Sequence, residues 1–214
     1  MTAIAAPVMA ARTGRHLNGF VVLITPAGTP WLPNAIVLDP GPTVVWDPVL
    51  PALAPGPALA ARGRAVLAAL SAGDDSALRP PPEAIDALHV GDMSAAVTGL
   101  LGRGAGLTPE GDDMLAGALA VRAAAGAPVA LPPDLRERTT ALSATLLELA
   151  AVGAAPRPLH ALLDLHNDNW RGALQELERL GSSSGRAIAL GAAAAAAVLP
   201  PARRSPAHCA TLGA

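Results

Sequence analysis

Residues 102–117 read Gly-Arg-Gly-Ala-Gly-Leu-Thr-Pro-Glu-Gly-Asp-Asp-Met-Leu-Ala-Gly, a glycine-rich loop that leads directly into a helix. Glycine at alternate positions permits backbone angles closed to other residues and leaves peptide N–H groups uncovered. Thr108 fits the N-cap position and Pro109 the first helical position, where the N–H that proline lacks would have no partner. The stretch therefore predicts a loop that can receive an anion at the positive end of a helix.

The acidic residues of this first helical turn, Glu110, Asp112 and Asp113, admit two interpretations. They can simply complement the helix dipole, at about 0.3–1 kcal/mol each. Alternatively, Asp112 and Asp113 form a catalytic pair that orients a polar substrate or holds a cation, for which Mg²⁺ is the candidate. Neighbouring helical positions point about 100° apart, so at most one of the two carboxylates faces the loop, and Asp112 is favoured.

Further hydroxyl and glycine residues are also candidates for binding an anion or a polar substrate. A second glycine-rich helix start lies at residues 181–185, and a polar stripe is expected on the helix that carries Thr139, Thr140 and Ser143. The serines can also act only as helix caps, and the stripe can be solvated. The candidate residues for anion or substrate binding are Arg103, Gly104, Gly106, Thr108, Gly111, Thr140, Ser143, Ser183, Ser184 and Gly185.

Composition excludes several classes of function. With 51% apolar and 15% charged residues the chain is expected to fold around a sizeable core. The formal net charge of −2 and the absence of a basic cluster argue against nucleic acid as a partner. The sequence contains no lysine, which excludes Schiff-base chemistry and a Walker-type phosphate site. A single cysteine, Cys209, and no apolar run of membrane-spanning length indicate a cytoplasmic protein that does not enter the membrane.

The pattern along the chain predicts an α+β protein, with an N-terminal antiparallel β-sheet followed by a C-terminal helical bundle. Short β-branched runs at residues 20–24, 35–38 and 43–46 are separated by Pro/Gly clusters, and their connections look too short for crossover helices. Three regions are expected: a β-rich region at residues 1–55, a helical region at 56–199 and a flexible tail at 200–214. The predicted helices span residues 58–72, 82–101 with a weak point at Gly91, 109–125, 134–152, 159–180 and 184–199.

The motif Gly-Leu-Thr-Pro-Glu-Gly-Asp-Asp, followed by an apolar helix with a further glycine, resembles the signature of the AllH-like proteins. The resemblance continues at residues 139–144, 146–147, 150–153 and 181–185. This family includes a subunit of the oxamate carbamoyltransferase complex of allantoin catabolism. The resemblance implies transfer of a carbamoyl group between an amide such as oxamate or oxalurate and phosphate, a small anionic substrate, and other subunits as partners.

Two further hypotheses stay open. In the first, the chain is a noncatalytic structural subunit whose glycines serve close helix packing and partner docking. In the second, the acidic pair beside a phosphate-like loop belongs to a metal-dependent phosphate-ester hydrolase. The hydrolase ranks last because the sequence offers no further clustered Asp or His ligands.

Overall fold

The computed structural model describes residues 47–72 and 81–199, together with the backbone of two strands, β1 (Val21–Ile24) and β2 (Ala35–Leu38). The chain divides into two compact units, residues 1–46 and residues 47–214. In the first unit β1 and β2 pair in parallel, with Val21 opposite Ala35 and Ile24 opposite Leu38.

The predicted fold class, an α+β protein with an N-terminal antiparallel sheet, is wrong. The part of the chain described with its side chains is helical, and the two described strands form only a short parallel pair. β-Branched composition indicates an extended backbone but not the direction of the neighbouring strand, and the length of the connection was a poor guide to that direction. The third predicted strand and the tail from residue 200 lie outside the described residues. The division at residue 55 stays a prediction.

The second unit is built from helices. They are α1 (Pro57–Ser71), α2 (Pro82–Val90), α3 (Met93–Leu100), α4 (Glu110–Ala124), α5 (Leu135–Arg138), α6 (Ala141–Ala151), α7 (Arg157–Leu163), α8 (Trp170–Glu178) and α9 (Ser184–Val198).

Each of the six predicted helical ranges contains helix, but three of them are divided. Gly91 ends α2 in the left-handed conformation at φ 80°, and Thr139 is extended between α5 and α6. Residues 164–169 separate α7 from α8. The N-cap of α4 is Pro109 instead of the predicted Thr108, so this helix begins one residue late. Periodicity located the apolar faces but not the turns that interrupt them.

Helix α9 is the centre of this unit and packs against α1, α2, α4 and α8. The crossing of α4 and α9 depends on two glycines. A Cβ atom at Gly117 would collide with the carbonyl oxygen of Ile188, and one at Gly191 would collide with the carbonyl oxygen of Met114. The two backbones therefore touch, and the N-terminal ends of α4 and α9 lie together, with Thr108 Oγ1 3.1 Å from Ser184 Oγ.

No helix within residues 47–72 and 81–199 combines the length and apolar character needed to span a bilayer.

Candidate functional site

The glycine-rich loop before α4 has the conformation that its sequence demands. Gly102, Gly104 and Gly106 have φ angles of 73°, 124° and 89°, a region that disfavours any side chain. The loop is closed by two backbone hydrogen bonds, from Arg103 N to Leu100 O and from Gly111 N to Arg103 O, both 2.9 Å long. The turn is thus held independently of any ligand.

A carboxylate of the protein itself lies inside this loop. Glu110 Oε2 accepts a hydrogen bond of 3.1 Å from Ala105 N, and Glu110 Oε1 accepts one of 3.5 Å from Ser183 Oγ. A Cβ atom at Gly104 would collide with the same carboxylate. Glu110 therefore supplies negative charge at the point where the sequence predicted a bound anion.

Asp112 is almost completely buried, with 2% of its surface exposed, and both of its oxygens accept hydrogen bonds. Oδ1 accepts from Gly102 N at 2.7 Å and Oδ2 accepts from the hydroxyl of Thr139. Nearby, the Thr140 hydroxyl caps α6 by accepting from Ser143 N at 3.1 Å and donates to Leu107 O at 2.6 Å. Asp112 and Thr140 together tie the loop to the start of α6.

Asp113 is equally buried, at 4% exposure, but its surroundings differ. Burial raises the pKa of its carboxyl from 3.8 to about 6, and the charges of Asp112 and Glu110 act in the same direction. Hydrogen bonds from the hydroxyls of Ser184 and Thr108 lower the pKa in part. Within the described residues Asp113 Oδ2 has no hydrogen-bond partner. A carboxyl of this kind can exchange a proton near neutral pH.

The other sequence-predicted residues lie around the two carboxylates Glu110 and Asp113, on the exposed loop, or in the interior. Gly104, Thr108, Ser183 and Ser184 lie together around Glu110 and Asp113. Arg103 and Gly106 are exposed on the loop.

Three predicted residues are buried instead. Gly111 and Gly185 lie against the carbonyl oxygens of Leu100 and Leu177, where a Cβ atom would not fit. Ser143 is buried at the start of α6, and its hydroxyl has no hydrogen-bond partner among the described residues.

Sequence reasoning missed a cavity of about 310 Å³ on the other side of Asp113. Its described lining is apolar except for Asp113, and includes Ala116, Leu146, Leu149, Leu159, Leu180 and Ile188. Leu142, Leu146 and Leu149 lie at helical spacing on one apolar face of α6. This face is partly exposed, since 46%, 39% and 48% of the surfaces of these residues are open to solvent.

Residues 47–72 and 81–199 contain no group of three or more His, Cys, Asp or Glu side chains placed to hold one ion. Both oxygens of Asp112 are engaged by Gly102 and Thr139, so the two adjacent carboxylates do not present a shared pair of free oxygens.

Residues 100–196 match the family model described as oxamate carbamoyltransferase subunit AllH. The resemblance to the AllH family is confirmed. The AllH match covers slightly less than half of the chain, from the last residue of α3 into α9, and includes the glycine-rich loop, Asp112, Asp113 and Ser184. No curated protein and no solved structure matches the chain.

Proposed function

We propose that this chain is the AllH-type subunit of a carbamoyltransferase complex that moves a carbamoyl group between an amide, oxamate or oxalurate, and phosphate, in ureide nitrogen catabolism. Carbamoyl phosphate is the carbamoyl compound on the phosphate side. The observation that carries this proposal is the AllH match, which spans every residue of the α4 and α9 helix starts. The other subunits of the complex are the expected partners, and a small anion is the expected substrate.

The proposed reaction moves a carbamoyl group between an amide nitrogen and a phosphate oxygen, so a C–N bond breaks as a C–O bond forms. Such a site needs hydrogen-bond donors at the carbamoyl oxygen, where negative charge develops. The hydroxyls of Thr108 and Ser184 lie 3.1 Å apart, and each donates its single proton to the ionised carboxylate of Asp113. When Asp113 is protonated, its carboxyl can donate to one of these hydroxyls, and that hydroxyl is then free to donate to the carbamoyl oxygen.

The phosphate needs a different position from the one that the sequence suggested. Glu110 repels an anion at Ala105 N, whereas Gly106 is open and Arg103 is exposed on the same loop. A guanidinium binds an oxyanion at two points. We therefore place the phosphate on the outer side of the loop, with Asp112 as the residue that holds the loop in shape.

Thermal melting of the full chain tests this proposal, because a ligand that binds only the folded state raises the melting temperature. The ligands are carbamoyl phosphate, oxamate, oxalurate and phosphate, each with and without Mg²⁺. We expect carbamoyl phosphate or oxamate to raise the melting temperature of the wild type and of Ser94→Ala, which changes an exposed serine of α3. Ser184→Ala should lose most of the shift. Absence of a shift with every ligand would contradict a substrate site within this chain.

A noncatalytic assembly role is the second candidate, and the exposed leucine face of α6 favours it. Leu142, Leu146 and Leu149 lie on one side of this helix and remain partly exposed. Contiguous apolar surface of this kind is typical of protein interfaces. If assembly is the role, Leu142→Asp abolishes co-elution with the co-expressed partner subunits in gel filtration, whereas Thr145→Asp on the same helix does not. Co-elution of both variants would argue against it.

A further inference from the structure

The cavity beside Asp113 has the features of a ligand site in its own right. Its volume of about 310 Å³ lies at the lower end of the range for small-molecule pockets. It is formed by α4, α6, α7 and α9 together with Pro48, residues 154–156 and Leu180, all in the second unit. Leu146, Leu149 and Leu180 line the cavity and are also partly exposed, so a ligand can enter from solvent between them.

Asp113 is the polar exception in this lining. No other polar side chain of the described residues contributes to the walls, and Asp113 Oδ2 is buried without a hydrogen bond. A buried carboxylate oxygen without a partner is costly, because it loses its hydration and gains nothing in return. The hydroxyls of Thr108 and Ser184 satisfy Asp113 only in part. The cavity therefore offers one strong acceptor surrounded by hydrocarbon.

The walls select the kind of molecule that fits. An anionic ligand would be repelled, since Asp112 and Glu110 add their charges to that of Asp113. A fully polar ligand would lose its hydration against alanine, leucine and isoleucine side chains. An aliphatic body fills these walls favourably, and a cationic donor forms a charge-assisted hydrogen bond with a carboxylate.

We propose that this cavity binds a compact aliphatic primary amine, whose ammonium group donates to Asp113 Oδ2 while its hydrocarbon body contacts the leucine walls. The site is separate from the loop surface assigned to phosphate and does not depend on carbamoyl chemistry. It gives Asp113 two neighbours, the hydroxyls of the helix starts on one side and the amine on the other.

Isothermal titration calorimetry of the full chain at pH 7.5 tests the proposal, with cyclohexylmethylamine as the probe and cyclohexylmethanol as its neutral counterpart. We expect the amine to bind at least about tenfold more tightly than the alcohol, since the charged donor strengthens the hydrogen bond to the carboxylate. Equal affinity for both compounds, or no binding of the amine, would overturn the proposal.

Two variants distinguish the contribution of the Asp113 carboxylate to binding from that of the apolar walls. Asp113→Asn is expected to abolish the preference for the amine. Ala116→Leu lies one turn from Asp113 in α4 and places a larger side chain in the cavity beside the carboxylate, so it should abolish binding of both compounds. Thr145→Leu introduces the same side chain at an exposed position of α6 outside the lining and should bind as the wild type does. Amine binding that survives Ala116→Leu in a folded protein would place the ligand elsewhere.

Failure of the amine to bind leaves the proposed transferase role intact. Failure of the carbamoyl ligands to bind likewise leaves the proposed amine site intact. Carbamoyl phosphate and oxamate are read out by the Ser184→Ala comparison at the loop, whereas the amine is read out by Ala116→Leu in the cavity. A chain that binds the amine but none of the carbamoyl compounds would support this site and contradict the substrate site.

Discussion

Asp112 and Asp113 are adjacent in one helical turn and equally buried, yet their environments are opposite. Asp112 has both oxygens saturated by Gly102 N and Thr139 Oγ1. Asp113 has an oxygen without a partner among the described residues and a raised pKa. Burial alone therefore does not reveal a carboxylate's role, since a saturated one holds structure and an unsaturated one is available for chemistry.

The largest effect is expected where the saturated carboxylate is removed. Asp112→Ala leaves the half-buried Gly102 N–H and the Thr139 hydroxyl without their acceptor, and we expect the free energy of unfolding to fall by about 3 kcal/mol. Urea denaturation at pH 7 measures it. The control is Asp92→Ala, which removes an exposed N-cap bonded to Ala95 N and should cost about 1 kcal/mol. A loss at Asp112 no greater than at Asp92 would show that its hydrogen bonds contribute little.

Asp113 should instead make the free energy of unfolding depend on pH. Its folded pKa of about 6 lies above 3.8, so between these values the folded state binds more protons than the unfolded state. The contribution of Asp113 to the free energy of unfolding is therefore largest below pH 3.8. It falls as the pH rises through 6, by about 3 kcal/mol in total.

The isosteric variant Asp113→Asn lacks this titration. We expect the stability of the variant minus that of the wild type to increase from pH 4 to pH 7, measured by urea denaturation at each pH. Glu110 and Asp112 carry the charges that act on Asp113, and both are retained in the variant. A difference that stays constant with pH would mean that the carboxyl titrates normally.

The hydrogen bonds of Asp112 can also be tested by removing a donor, the hydroxyl of Thr139. Thr139→Val removes the donor to Asp112 Oδ2 and should lower the free energy of unfolding by about 1.5 kcal/mol. Thr145→Val removes a hydroxyl on the exposed side of α6 that bonds only to Ala141 O in the described part, and should change stability by less than about 0.5 kcal/mol. Similar losses of stability in Thr139→Val and Thr145→Val would argue against a structural role for the hydrogen bond between Thr139 and Asp112.

Glu110→Gln should have the smallest effect on stability, below about 1 kcal/mol, because the amide oxygen can still accept from Ala105 N. Its charge raises the pKa of Asp113, so its removal should lower that pKa. The carboxyl titration of Asp113 by nuclear magnetic resonance measures this, with Glu148→Gln at the exposed pair with Arg136 as the control. An unchanged titration in Glu110→Gln would place Glu110 farther from Asp113 than the structure has it.

The sequence contained enough to locate the helices and the helix starts that form the candidate site. Glycine at positions 126, 153 and 181 follows the last residue of a predicted helix, and all three glycines have positive φ angles. Gly91 was predicted only as a weak point within one helix, and it ends α2. The Gly-Leu-Thr-Pro-Glu-Gly-Asp-Asp motif also predicted the resemblance to the AllH family, which the AllH match confirmed.

Other features depend on contacts that a local pattern does not contain. The parallel pairing of β1 and β2 is a choice of partner and direction, which β-branched composition does not specify. Glu110 inside the loop depends on a side-chain rotamer, and the cavity depends on four helices that meet across long sequence separations. The roles of the individual site residues stay predictions.

The glycine crossing of α4 and α9 also acts as a register lock. Because the backbones touch at Gly117 and Gly191, a slide of either helix by one residue would drive an alanine or leucine side chain into the facing main chain. The spacing between Thr108 and Ser184 is consequently fixed from a point more than one turn away. A substitution at 117 or 191 would thus change the distance between the two hydroxyls without contacting either of them.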